Sequence, residues 1–203
     1  MSYCASNEPP PAVLPWAHPL DELYAKAGLT LPPIQTLPGN EVPQPFRKLL
    51  VHEGDMTPTL EKFHESSIHL HVLGREQRDD FYYREVLLLA DDSEKVVEFG
   101  AIKINLTYFP AQARQEILRE HLPLGTILAR YRIDHTSRPK AFLKVESDAF
   151  MNGVLGLSGA QTLYGRRNTL SNSQGQALAE IVEFLPPVHR PQELWTRRTI
   201  STL

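Results

Sequence analysis

Leu163-Tyr164-Gly165-Arg166-Arg167-Asn168-Thr169-Leu170, a turn of Ser, Asn, Gln and Gly residues, and then Leu178-Ala179-Glu180-Ile181-Val182-Glu183-Phe184-Leu185-Pro186 make up the stretch on which the fold turns. Two apolar runs of strand length around a short glycine-bearing turn read as an antiparallel hairpin. Side chains alternate between faces with a period of two, so Glu180 and Val182 share one face and Glu183 points to the other. A glutamate among Leu, Val and Phe either faces water or lines a cavity. The paired guanidinium groups of Arg166 and Arg167 pose the same choice, since a fork of donors suits a carboxylate ligand and also suits a solvated loop. Charged side chains are mostly solvated, and exposure is the expectation here.

Upstream, Ser67–Leu73 alternates as a strand should, Phe81–Ala90 (FYYREVLLLA) is a stronger strand, and Asp91-Asp92-Ser93 turns the chain into an antiparallel partner over Val96–Leu106. Ala129–His135 and Ala141–Met151 are further strand candidates, with Ser137-Arg138-Pro139-Lys140 as a turn. Helices are expected at Phe46–Leu50, after Thr57 as N-cap and Pro58 as first helical residue, from Pro110 to His121, and after Pro123. Hairpins with helices in separate blocks predict an α+β fold: a single antiparallel sheet of about six strands whose helices cover an internal ligand cavity.

Ten of the 17 prolines precede residue 46. Residues 1–45 therefore read as a proline-rich N-terminal arm, with two helical turns at Leu20–Ala27, packing onto the domain that follows.

A chain of 203 residues fits one domain with room for a ligand cavity. A net charge of −3 with 22% charged residues lacks the basic footprint that phosphate backbones select, so nucleic acid is not an expected partner. Cys4 is the only cysteine, which leaves no intrachain disulfide or thiolate metal site. The sequence has neither a basic leader nor 18 uninterrupted apolar residues, so no membrane span and a cytoplasmic location are expected. Nothing in it fixes the oligomeric state.

Arg84 is the sharpest single residue. It interrupts a strand whose Tyr82, Val86, Leu88 and Ala90 lie on its own face, and a buried guanidinium needs either a carboxylate, with Glu98 or Glu183 as candidates, or an anionic ligand. His69-Leu70-His71 followed by Glu76 resembles the first metal motif of cupins, but no second motif with a third histidine follows, and no metal is expected. Neither a nucleophile elbow nor a phosphate-binding loop occurs. Gly153–Gly159 lacks the Gly-Lys-Ser/Thr ending and reads as a connection or lid.

Taken in order, Met56 after an acidic turn, Arg84 in FYYREVLLL, Pro123-Leu124-Gly125, the LYGRRNTL strand and the closing EFLP resemble the chorismate lyase family over roughly residues 47–187. That resemblance makes residues 46–203 a chorismate lyase-like domain. It implies a cofactor-free carbon–oxygen lyase that converts chorismate, or a related aromatic acid precursor, into 4-hydroxybenzoate and pyruvate for ubiquinone or another quinone. Arg84 matches the family's ligand-carboxylate arginine, Leu124 its cavity leucine and Met56 its cavity methionine. The family's acid falls on Val182, which leaves Glu180, on the same face, and the adjacent Glu183 as the candidate acids. Lys103 stands near the family's second arginine and supplies its charge without its fork. The same fold also serves as the effector-sensing domain of bacterial transcription regulators, so the alternative is a non-catalytic protein that binds or senses a small molecule such as an aromatic carboxylate.

Overall fold

The computed structural model describes residues 16–188; Cys4, and with it the thiol argument, lies outside the described residues. In chain order the elements are α1 (Leu20–Lys26), β1 (Ile34–Leu37), α2 (Phe46–Leu50), α3 (Met56–His64), β2 (Ile68–Arg78), β3 (Phe81–Ala90), β4 (Lys95–Asn105), α4 (Ala111–Arg119), α5 (Leu124–Arg130), β5 (Thr136–Glu146), α6 (Ala149–Leu155), β6 (Thr162–Ser171) and β7 (Ala177–Leu185). The fold is α+β, with one sheet of seven strands in the order β1-β5-β6-β7-β4-β3-β2 and every pairing antiparallel.

The hairpin quoted first is β6 and β7. Its turn is tied by the Asn172 side chain, whose Oδ1 accepts from the backbone N–H groups of Gln174 and Gln176 at 3.0 and 2.9 Å. Gly165 faces Phe184 across this hairpin, and a Cβ there would lie 2.2 Å from the Glu183 carbonyl oxygen. Only glycine lets the two strands come this close.

Three segments differ from the sequence reading. Ala129–His135 holds the end of α5 and a loop rather than a strand, because α5 starts after Pro123 and buries Ile127 and Leu128. The expected turn at Ser137–Lys140 lies inside β5. Proline is tolerated there because β1 pairs only with residues 142–145, so among the described residues no strand pairs with that edge of β5 at Pro139, where the register also shifts. Beyond β5, Asp148 accepts from Met151 N at 2.7 Å and starts α6 where more strand was expected. In addition, α3 begins one residue before Thr57, with Asp55 at the N-cap and Pro58 still within the first turn, where a missing N–H costs nothing.

Strand parity sorts the sheet into two faces. On one, Leu87, Phe99, Ala101, Leu143, Val145, Val182 and Phe184 pack beneath α1 and α6. On the other, α2 and α3 bury Leu49, Leu50, Met56 and Leu60 against Leu70, Val86 and Leu88, while α4 and α5 bury Ala113, Ile117, Ile127 and Leu128 against Ile102, Ile104 and Leu170. Within the expected arm, residues 16–45 bury Ala17, Leu20, Tyr24, Ile34 and Val42 in these clusters.

Candidate functional site

Between the two helical layers of the second face lies an internal cavity of about 60 Å³. Its apolar wall is built from Met56, Leu70, Val86, Leu88, Ile102, Leu124, Leu170 and Ile181, and its polar groups are Asp55, Thr57, Arg84, Glu98, Arg166, Asn168 and Glu183. Over the cavity α3 and α5 touch closely: a Cβ at Gly125 would sit 2.9 Å from Thr57 Oγ1.

Arg84 reaches the cavity from the centre of β3 and is 2% exposed. Its Nε and Nη1 are buried without a hydrogen-bond partner among the described residues. The core ion pair considered for it does not form, since Glu183 is bound by Arg166 and Glu98 Oε2 has no hydrogen-bond partner among the described residues. Glu120, whose charge reaches Arg84, accepts instead from Arg75 and Tyr82. Burial pulls the Arg84 pKa from 12.5 down to about 10, so the guanidinium keeps its proton at neutral pH. A buried, charged guanidinium facing a cavity has an unmet demand for acceptors.

Arg166 and Glu183 overturn the expectation of solvated charge. They oppose each other on β6 and β7, are 0% and 3% exposed, and form an ion pair. The rest of the Arg166 guanidinium donates to the carbonyls of His52 at 3.1 Å, Gly54 at 3.2 Å and Leu50 at 3.5 Å. It therefore pins the loop joining α2 to α3. From outside, His135 Nε2 meets Asp55 at 2.9 Å and Ser137 Oγ donates to the Gly54 carbonyl at 3.3 Å.

Glu98 lines the same cavity and is 5% exposed. Burial raises its pKa well above the usual carboxylate range, and the Glu183 charge adds to the rise against the opposing Arg166. Neither Glu98 nor Arg166 stood out in the sequence as a cavity residue. Parity alone puts Glu98 with Leu88 and Arg166 with Glu183, but the choice of face needed the sheet's strand order.

Of the site residues expected from sequence, the structure brings Met56, Arg84, Leu124 and Glu183 together at the cavity. Lys103 and Glu180 lie on the opposite face, 3.5 Å apart, and Glu180 also accepts from Arg167 at 2.7 Å. Parity with Val182 was the right rule for Glu180, but the Val182 face packs under α1 and α6. Burial works against the Glu180 carboxylate's charge, and Arg167 and Lys103 still hold its pKa below the ordinary value. His69 bonds Asp91 at 2.6 Å, and among the described residues no group of three or more His, Cys, Asp or Glu side chains gathers to hold a metal. No helix of the described residues is long and apolar enough to cross a membrane.

No protein-family model and no curated protein matches the chain. Solved structures do. The effector domain of PhnF from Mycobacterium smegmatis is 12% identical over 70% of this chain and 98% of that one, with a TM-score of 0.51. The structure of PhnF itself gives 13% identity over 70% and 71%, with a TM-score of 0.52. The ligand-binding domain assigned to a GntR-family transcriptional regulator from Bordetella bronchiseptica gives 9% identity over 60% and 87%, with a TM-score of 0.47. At such identities the two PhnF structures establish a shared fold and nothing finer.

These matches correct the resemblance to the chorismate lyase family. PhnF and its effector domain, which share this fold, are not chorismate lyases, and the expected lyase chemistry on chorismate for quinone synthesis has no support from them. The motifs behind that resemblance have local physical reasons. Gly165 is required by strand contact, Gly125 by helix contact, and Arg84 faces a cavity whatever occupies it.

Proposed function

We propose that this protein is a non-catalytic binding domain that holds a small anionic molecule, most simply a carboxylate, in the cavity beside Arg84. The observation that carries this reading is the buried Arg84 guanidinium, whose Nε and Nη1 have no hydrogen-bond partner among the described residues, beside the apolar side chains of the cavity wall. An anion there supplies the missing acceptors in a low-dielectric site, where charge-assisted hydrogen bonds are strongest. The apolar wall then selects an organic body over an inorganic ion. Effector domains of the same fold give the reading a precedent in sensing. In that role occupancy would be passed on through the loop joining α2 to α3, which Arg166 ties to the cavity carboxylate Glu183.

Size bears on the ligand. A benzene ring occupies a protein cavity of about 150 Å³, against about 60 Å³ here. A compact aliphatic acid matches this volume, whereas an aromatic carboxylate exceeds it.

Thermal unfolding with acetate, propionate, butyrate and benzoate, in wild type and Arg84→Met, tests the proposal. At least one acid is expected to raise the wild-type midpoint at constant ionic strength and to leave the variant's unchanged. Equal shifts in both proteins, or none in either, would overturn it.

A further inference from the structure

The cavity has a second pole. Arg84 opposes Ile102, and Glu98 stands four residues along β4 on the same face, so their Cα atoms are roughly 13 Å apart along the strand direction. Both side chains border the same small space. Gly100 lies between them, and a Cβ there would come within 3.4 Å of Glu98 Oε1, so the missing side chain leaves that carboxyl open to the cavity.

Glu98 Oε2 is buried and without a hydrogen-bond partner among the described residues. The nearby cation does not serve it, because Arg166 is committed to Glu183 and to the carbonyls of the loop. Two groups of opposite formal sign, each with buried atoms lacking a hydrogen-bond partner among the described residues, thus border one small cavity. Native proteins rarely leave a buried polar atom unmatched without a use for it.

Resting on the anion anchor proposed above, we infer that the ligand is a short zwitterion whose acid group binds Arg84 and whose ammonium group binds Glu98. A plain acid satisfies only one pole. Burial and the Glu183 charge favour the protonated form of Glu98 in the ligand-free protein. The charged or titratable groups around it are Arg84 on β3, Arg166 on β6, Glu183 on β7, and His52 and Asp55 at the covering loop. An incoming ammonium keeps its own three protons and displaces the carboxyl proton of Glu98 to solvent, so binding releases one proton.

The test is calorimetric titration of three length-matched pairs: acetate with glycine, propionate with 3-aminopropionate, butyrate with 4-aminobutyrate. For at least one length the amino acid is expected to bind ten-fold or more tightly than its plain partner, with a binding heat that differs between phosphate and Tris as proton release requires. Glu98→Gln, with Glu98→Leu as a second variant, is expected to erase that preference. Plain acids binding as tightly at every length, or a preference that survives both Glu98 variants, would overturn the zwitterion while leaving the Arg84 anchor standing. Binding by none of the six compounds would remove the anchor and this inference with it.

Discussion

Arg166 and Glu183 meet across neighbouring strands at the sheet's centre, and the same guanidinium that neutralises the carboxylate also holds three carbonyls of the loop above it. Removing one member of such a pair leaves the other as an uncompensated buried charge. Arg166→Ala is therefore expected to cost roughly 3–5 kcal/mol in urea unfolding. Arg166→Ala/Glu183→Gln should recover part of that loss, and hydrogen exchange should rise at residues 51–55 in both. A cost confined to a few tenths of a kcal/mol would show the pair to be unimportant.

Arg84 presents the opposite case. Its Nε and Nη1 are buried without a hydrogen-bond partner among the described residues, so the ligand-free protein carries a penalty that an apolar side chain of similar length avoids. Arg84→Met should raise stability by about 1–3 kcal/mol while abolishing acid binding. Equilibrium unfolding without ligand measures the gain, and a destabilised variant would mean that Arg84 has a structural partner.

Glu85 gives the molecule a pH dependence near neutrality. It is 8% exposed on the face away from the cavity, its Oε1 has no hydrogen-bond partner among the described residues, and burial pushes its pKa up from 4.5 to about 7. The folded state holds this proton more tightly than the unfolded chain does. The contribution is therefore fully present below about pH 4.5 and is lost as pH rises through about 7. Glu85→Gln should be nearly neutral at pH 5 and stabilising on the order of 1–3 kcal/mol at pH 8. Denaturation midpoints at the two pH values decide it, and an equal effect at both would remove Glu85 as the source.

Leu124 caps the cavity from α5. Leu124→Ala should cost roughly 2–5 kcal/mol and should widen the space enough for an aromatic acid. Benzoate is then expected to raise the variant's unfolding midpoint more than that of the wild type. A larger response in the wild type would mean that the closed cavity already expands around a ring.

Gly165→Ala should be the most damaging small change. The added methyl would stand 2.2 Å from the Glu183 carbonyl oxygen and 2.6 Å from the Phe184 ring, so β6 and β7 must part. A loss above about 4 kcal/mol, or failure to fold, is expected, with circular dichroism and yield as the readouts.

What the sequence made legible follows from how local each feature is. FYYREVLLLA declared β3 to the residue, and parity put Arg84 among apolar neighbours, because both depend only on adjacent positions. The burial of Arg166 was hidden because its partners come from residues 50–54 and 183. For the same reason the glutamate chosen by parity, Glu180, faces away from the cavity while Glu183 lines it: period two separates the faces without saying which is which. β1 was hidden inside a proline-rich stretch, since a four-residue edge strand carries too little pattern to stand out. Where chorismate lyase chemistry was expected, the shared features reflect the demands of the fold.

Pro139 has a meaning beyond its own strand. It sits on the part of β5 that no strand of the described residues pairs with on that edge, beside a break in register, and it has no N–H to offer. A bare strand edge is a template for pairing with another molecule, and proline with a bulge is a common means of blunting one. The residue that disguised this strand as a turn thus helps to keep neighbouring copies of the protein from joining edge to edge and aggregating.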